Sequence, residues 1–529
     1  MADDPIDPLA GARYALEGRV ITMDADGTDL ARARVYVDGG VIAAVTPPDA
    51  PRPDGFADAP VVRVGGIIYP GLIELHNHLS YDILPLWQVP ATFTNRDQWS
   101  GRDDYRVAVT GPMSILGRTS GYIEAIVRYV EAKCLIGGTT TSQGITLSSN
   151  AGILKRYRGI VRNVEETGDA DLPDAATHVA DVGTGDAAGF LAQLEQASSL
   201  LLHLSEGVDA TAHRRFEALR IKPRQWAITP ALAGIHCAGL KTPDFQRLAS
   251  NGAAMVWSPF SNVLLYKKTA NVAAARRAGV TIALGSDWSP SGSKNLLGEL
   301  KVASIWNETL PAEVRFTPRE LVETVTVNPA RILKWDKAIG TIEVGKRADF
   351  LVLDNTDGDP YERLIAARET AVSLVVINGV PRYGTTALMT QFSTDNEAVT
   401  VGSSARAVFL TQPTGDPVVG ALSLGEAHDR LVDGLHRLPE LARALEAGQL
   451  PKGMPHGGEQ WVLALEQNEP ARIAGGAKDL KKLPPLSEVL TPLELDPIAV
   501  ANDDAFLGRV AGQRNVGDAL KKDLAAFYA

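Results

Sequence analysis

The run Leu72-Ile73-Glu74-Leu75-His76-Asn77-His78 is an apolar strand pattern ending in two histidines at i and i+2. Strand side chains alternate faces, so both imidazoles project to one side, and two neutral nitrogens on a rigid strand make half of a site for zinc or iron. Alone, the pair could equally be surface or core histidines. Its weight comes from where other ligand types fall. Leu200-Leu201-Leu202-His203 is a second apolar run closed by a histidine, with Glu206 three positions on, and Gly234-Ile235-His236-Cys237 is a third. Thr281-Ile282-Ala283-Leu284-Gly285-Ser286-Asp287 adds a carboxylate at the end of a fourth.

The elements that must position these groups read as parallel β/α units. Eight strand candidates span Gly71 to His78, Gly138 to Ser142, Gly159 to Val164, Ala176 to Val182, Leu200 to Ser205, Ala227 to Cys237, Ala253 to Ser258 and Val280 to Asp287. They alternate with amphipathic stretches at Gly121 to Leu135, Asn271 to Ala278, Leu296 to Trp306 and Pro318 to Lys334. The pattern predicts a closed (β/α)8 barrel, a fold that gathers its active site at the C-terminal strand ends. The weak link is Glu165 to Ala175, which holds Gly168 and Pro173 and is too short for a full helix.

Short alternating strands flank this middle. Upstream, Asp38-Gly39-Gly40 suits a hairpin; downstream, Ala348 to Leu353 and Val375 to Ile377 precede Asn378-Gly379, a type I′ pair. The two flanks are expected to pair into one small sheet module. The division predicted is 1–70 and 339–385 for that module, 71–338 for the barrel, and 386–529 for an extension. In the extension Ala398 to Leu410 reads as strand, and Ser423-Leu424-Gly425-Glu426 is a capping box opening a helix. The extension is expected to pack on the barrel or to form a dimer contact, and a homo-oligomer is expected.

Composition sets the class. With 45% apolar and 22% charged residues in 529, the chain is globular, and Lys+Arg 52 against Asp+Glu 63 leaves a net charge of −11 that gives nucleic acid and anionic membranes nothing to attract. Two cysteines, Cys134 and Cys237, make neither a disulfide framework nor a zinc cluster. The acidic, proline-containing start is no signal peptide, and no long apolar run would span a membrane, so a cytoplasmic protein with a small-molecule substrate is expected.

The constellation resembles the amidohydrolase superfamily, metal-dependent hydrolases on a (β/α)8 barrel with a small β-sandwich built from both flanks. It is carried by Pro70-Gly71 through His76-Asn77-His78, His203-Leu204-Ser205-Glu206, His236, Ser258-Pro259-Phe260-Ser261-Asn262, Gly285-Ser286-Asp287 and Gly345-Lys346-Arg347-Ala348-Asp349 followed by Phe350 to Leu353. The resemblance covers about residues 13 to 385. Binuclear members carry a carboxylated lysine near the end of a middle strand; Lys155 and Lys222 are the only lysines between Lys133 and Lys241, and neither ends a predicted strand, so one divalent ion is favoured, zinc first, with iron or manganese open. The His203 to Glu206 spacing is that of the branch resembling cytosine, guanine and S-adenosylhomocysteine deaminases and chlorotriazine hydrolases. The resemblance implies a metal held by His76, His78, His203 and Asp287.

The group types then suggest roles. Asp287 would bind the ion and accept the water proton, Glu206 would shuttle a proton to a ring nitrogen or leaving amine, and His236 would polarise the electrophilic centre. Hydrolysis of a non-peptide C–N bond follows, by deamination of an amino-heterocycle or opening of an amide. The alternatives are a binuclear amidase or dipeptidase-like hydrolase, and a non-catalytic assembly protein on the same fold. Tyr81, Asp82, Trp87 and Trp99, in the loop after the first strand, and Asn262, Trp288, Ser289 and Ser291 are candidates to line the pocket, Tyr81, Trp87, Asn262 and Trp288 foremost. Each is also a plausible packing residue. His178 reads as core or support, Cys237 as a small buried residue, and His428, His436 and His456 as solvated or capping residues.

Overall fold

The apolar runs of the middle segment form eight short parallel strands in the computed structural model of the chain, which describes residues 5–412, 422–450, 452–465 and 483–529. These are β1 (Leu72–Glu74), β2 (Thr139–Ser142), β3 (Arg162–Asn163), β4 (Ala176–His178), β5 (Leu200–Leu204), β6 (Leu232–His236), β7 (Ala254–Trp257) and β8 (Ile282–Leu284). Except in β4, every residue of these strands is buried, as parallel strands covered on both faces require. The architecture is α/β, of the eight-stranded barrel type.

The ladder differs from the closed barrel expected. Among the described residues it runs as two arcs, β1-β2-β3 and β4-β5-β6-β7-β8. At one seam β3 and β4 are only two and three residues long, and the connection between them has no helix; it folds back so that the Ala175 amide donates to the Val164 carbonyl at 2.8 Å. At the other, β8 meets β1 beyond the strand ends. The Asp287 amide donates to the His76 carbonyl at 2.9 Å and the His78 amide to the Asp287 carbonyl at 2.7 Å. Candidate ligands thus join the two arcs by their own backbone.

Helices Tyr122–Ile136, Val272–Ala278 and Leu296–Asn307 occupy the amphipathic stretches. The stretch Pro318 to Lys334, expected as one helix, is two: Pro318–Glu323 and Val327–Leu333. A continuous helix would need the residue 329 amide to reach the Val325 carbonyl, and Pro329 has no amide hydrogen. The carbonyls of Thr324 and Val325 instead accept from the amides of Leu284 and Ile73, both at 2.9 Å, tying β8 and β1 together.

The flanking strands pair into a single nine-stranded sheet, in the order 397–401, 404–408, 380–385, 372–377, 350–354, 61–70, 14–21, 29–38 and 41–46. Its centre is Phe350–Asp354 antiparallel to Val61–Pro70, which delivers the chain through Gly71 directly into β1. The expected turns are made by Gly39 and Gly40 (φ 55° and 84°) and by Asn378 and Gly379 (φ 48° and 72°), the left-handed pairs of a type I′ hairpin. Two strands from beyond residue 385 extend the sheet, so the extension continues the flanking module.

Further along, helix Leu424–His436 opens on the reciprocal Ser423 and Glu426 cap and packs on Tyr122–Ile136. The strand Glu459–Leu463 pairs antiparallel with Thr146–Ser149, bringing Ala464 and Leu465 to a small void shared with His78 and Tyr81. Among the described residues no helix is long and apolar enough to cross a membrane.

Candidate metal centre

His76 and His78, at alternate positions after β1, point to one side with His203 from β5 and Asp287 after β8, and all four are buried. His76 Nε2 lies 3.2 Å from His203 Nε2, and His203 Nε2 lies 3.3 Å from His78 Nε2. Asp287 Oδ1 lies 3.2 Å from His76 Nε2 and 3.5 Å from His78 Nε2. Four ligand atoms set tetrahedrally ~2.0–2.1 Å from one ion are separated by about 3.3 Å. The four separations, which run round the ring His76, His203, His78 and Asp287, are of that length, and histidine nitrogens with a carboxylate oxygen are donors that fit a divalent metal. Facing nitrogens at such distances cannot each carry a hydrogen. For His76 the hydrogen has a place on Nδ1, 2.8 Å from Ser258 Oγ, which leaves the Nε2 lone pair inward.

The charge states agree with that reading. Burial, and then the neighbouring imidazoles, hold His76, His203 and His236 well below the ordinary histidine value, so all three are neutral at pH 7. Burial pushes Asp287 up to about 7. It also raises Glu74, to about 8; this carboxyl sits beneath the cluster and accepts from the Ser286 amide at 3.1 Å and hydroxyl at 2.8 Å. Ser205, His236, Cys237 and Asp287, all beyond or at strand ends, have positive φ of 53°, 64°, 51° and 70°. Left-handed backbone at non-glycine residues costs ~1–3 kcal/mol each and concentrates where side chains must be aimed.

Two chains of hydrogen bonds begin at indoles, which only donate. Trp257 Nε1 donates to Thr269 Oγ1 at 2.7 Å, so the Thr269 hydrogen goes to Asn262 Oδ1 at 3.1 Å, and Asn262 Nδ2 donates to His236 Nδ1 at 3.0 Å. His236 therefore carries its hydrogen on Nε2, pointing at the cluster as a donor. In the second chain Trp99 Nε1 donates to Tyr266 Oη at 2.9 Å and Tyr266 donates to Glu206 Oε1 at 2.7 Å. Glu206 Oε2 faces Arg96 Nη1 at 3.7 Å and His236 Nε2 at 3.9 Å. Burial raises the Glu206 carboxyl, with Arg96 and Tyr266 pulling against it.

The aromatic candidates divide. The Trp288 ring lies 5.0 Å from His78 and 5.1 Å from Tyr81, forming a wall beside the cluster. Trp87 stands one ring further out, 5.4 Å from Tyr105, which is itself 6.3 Å from Trp288. Trp99 serves through Tyr266. Asn262 belongs to the His236 chain, and Ser291 Oγ accepts from Trp288 Nε1 at 2.6 Å. Asp82 and Ser289 join their loops, the Ser289 amide donating to Asp82 Oδ1 at 2.7 Å. His178 lies against Phe190, and Cys237 is buried with its thiol pushed far up, an inert state.

Sequence reading missed Glu74, Arg96, Tyr105 and Tyr266. Glu74 had a signal, since alternation puts it on the face of His76 and His78. Tyr266 lies four residues after Asn262 on helix Pro259–Tyr266, hence on the same side. Arg96 is placed by distant backbone pairing: the Arg96 amide donates to the Glu206 carbonyl at 3.3 Å and the Val208 amide to the Thr94 carbonyl at 2.7 Å.

A buried cluster of histidines and a carboxylate that could hold a metal ion thus sits at the strand ends of an eight-stranded α/β barrel. Comparison with known proteins agrees. Residues 227–382 match the model of the amidohydrolase family. The chain is 24% identical over 401 residues to a 5-methylthioadenosine/S-adenosylhomocysteine deaminase of Thermoanaerobacter pseudethanolicus, covering 68% of this chain and 91% of the relative. It is 26% identical over 362 residues to a 5'-deoxyadenosine deaminase of Methanothermobacter thermautotrophicus, covering 63% and 82%. The fold is that of a zinc-bound adenosine deaminase crystal structure from Xanthomonas campestris, at 18% identity and a TM-score of 0.51 over 81% of this chain and 99% of the other. Over residues 227–382 the chain is thus similar to the amidohydrolase family, and over most of its length to deaminases that share its fold.

Proposed function

We propose that this protein is a hydrolase that uses one divalent ion, zinc by preference, to deaminate an amino-substituted heterocycle. The observation that carries the proposal is the convergence of His76 Nε2, His78 Nε2, His203 Nε2 and Asp287 Oδ1, each 3.2–3.5 Å from two of the others, which would hold the ion. A divalent ion bound there supplies activated water at neutral pH. Asp287, ionised when it holds the ion, would accept a proton from that water. Glu206 stands beside the His236 donor and would carry the proton to a ring nitrogen and then to the departing amine. His236 would offer its Nε2 hydrogen to the polar substituent of the carbon under attack. Water oxygen bonds to the ring carbon, the C–N bond breaks, and ammonia leaves. Trp288 and Tyr81 would stack on the planar ring.

Deamination is favoured over amide opening because the relatives described above are named as a 5-methylthioadenosine/S-adenosylhomocysteine deaminase and a 5'-deoxyadenosine deaminase. A single ion is favoured over two because the ligand groups found among the described residues are histidines and aspartate; Lys155 and Lys222 lie on the peripheral strands Leu154–Arg156 and Arg220–Lys222. In this reading 71–338 is the catalytic barrel, 1–70 and 339–385 the flanking module, and 386–529 the extension. Ammonia release should be measured from a panel of aminopurine nucleosides, aminopyrimidines and aminotriazines, beside cyclic and linear amides. Release from an amino-heterocycle is expected; opening of amides with none from the heterocycles would overturn deamination.

A further inference from the structure

The extension reaches the candidate site through one buried carboxylate. Asp496 is 1% exposed, and its two oxygens take two buried lysines: Oδ2 accepts from Lys133 Nζ at 2.7 Å, and Oδ1 accepts from Lys294 Nζ. Lys133, on helix Tyr122–Ile136, also donates to the Asp82 carbonyl at 2.6 Å and to Ser289 Oγ at 3.2 Å. Asp82 closes the circuit by accepting from the Ser289 amide at 2.7 Å. The backbone is engaged too, with the Asp496 amide donating to the Ile83 carbonyl at 2.9 Å and Tyr129 Oη donating to the Asp496 carbonyl at 2.8 Å.

The position of this network gives it meaning. Ser289 follows Asp287 and Trp288, and Asp82 follows Tyr81. Lys133 therefore clamps together the loops after β8 and β1, and Asp496 is its counter-ion. Lys294, at the far end of the β8 loop, is held by the same carboxylate and by Asp503 at 2.9 Å, which in turn pairs with Arg509. Packing alone would be served by apolar contacts, whereas burying two ammonium groups is tolerated only with their partners in place. Burial alone would raise Asp496, but Lys133 and Lys294 outweigh it and hold the carboxyl below its ordinary range.

We propose that Asp496 is a positioning residue of the site: through Lys133 it fixes the loops after β1 and β8, and so places Asp287 and Trp288 against His78. This rests on the metal-hydrolase reading above. The test uses the full-length chain as wild type, Asp496→Asn, which keeps size and removes charge, and Leu435→Ala, which trims a buried apolar side chain of the extension without removing any hydrogen-bonding group of the network. Zinc affinity is read by competition with a chelator, backbone amide exchange over 286–294 in metal-free protein, and kcat against KM on the substrate found for wild type.

Asp496→Asn should weaken zinc binding by about 10- to 100-fold, speed exchange in that loop, and lower kcat more than it raises KM. Leu435→Ala should lower the melting temperature while zinc affinity and loop exchange stay within about twofold of wild type. Asp496→Asn matching wild type, or Leu435→Ala reproducing its losses, overturns the proposal. Should Asp496→Asn fail to fold, the charge-balanced pair Lys133→Met with Asp496→Leu decides: weakened zinc binding supports the role and unchanged binding overturns it. A wild type that binds no zinc defeats the metal-hydrolase reading itself, which separates the two failures.

Discussion

Asp287 binds its proton more tightly in the folded protein than unfolded, because burial lifts it from 3.8 to about 7. Its contribution to metal-free stability is therefore greatest below its ordinary value and is lost as pH rises towards 7. Zinc inverts this, since the carboxylate must be ionised to bind while His76 and His203 are already neutral. Apparent zinc affinity should fall as pH drops below about 7, and chelated wild type should lose more stability between about pH 4 and pH 7 than chelated Asp287→Asn, checked by thermal melts across that range. Glu206, raised by burial and bonded by Tyr266, is expected to act on protons alone. Glu206→Gln should keep its zinc while turnover falls by about 10²- to 10⁴-fold; metal analysis beside steady-state kinetics checks both.

Elements matter here by how closely they approach and by which hydrogen they impose. A Cβ on Gly285 would lie 2.4 Å from His76 Cβ, so the passage from β8 to Asp287 has no room for a side chain. Gly285→Ala should push β8 from β1 and lose bound zinc together with melting temperature. The Trp257, Thr269 and Asn262 chain sets the His236 tautomer. An ionised carboxylate only accepts, so Asn262→Asp would draw the His236 hydrogen to Nδ1; turnover should fall by about 10²-fold with zinc retained, measured by kinetics and metal content. At this scale much was legible from sequence. Each strand lies within its expected segment; β1 and β5 to β8 do so because parallel strands buried on both faces need hydrophobic runs, whereas β2 and β3 are polar although buried. What was illegible depends on partners distant in sequence: the Pro318 to Lys334 break exists to cap β1 and β8, and Arg96 meets Glu206 by pairing across about a hundred residues. Trp87 was a pocket candidate by its place in the loop, and only packing reveals that Tyr105 stands between it and Trp288.

Over the whole molecule, the extension from 386 onward adds two strands to the flanking sheet, the hairpin of Met454–His456 and Glu459–Leu463 to the barrel mouth, a helix on Tyr122–Ile136 and the Asp496 network. Composition sees only its mixed texture, because, apart from the two sheet strands, which pair with each other and with the neighbouring strand 380–385, these contacts are made with barrel residues hundreds of positions away. The net charge of −11 fits a protein whose partner is a small molecule. The central claim is that four side chains hold an ion that the reaction requires. The direct measurement is metal content per chain by mass spectrometry, on wild type and His76→Ala purified after expression with zinc, alongside ammonia released from the amino-heterocycle panel. Wild type should carry about one zinc per chain and release ammonia, and His76→Ala should lose both. Ammonia release by metal-stripped protein, or full zinc and activity in His76→Ala, would contradict it.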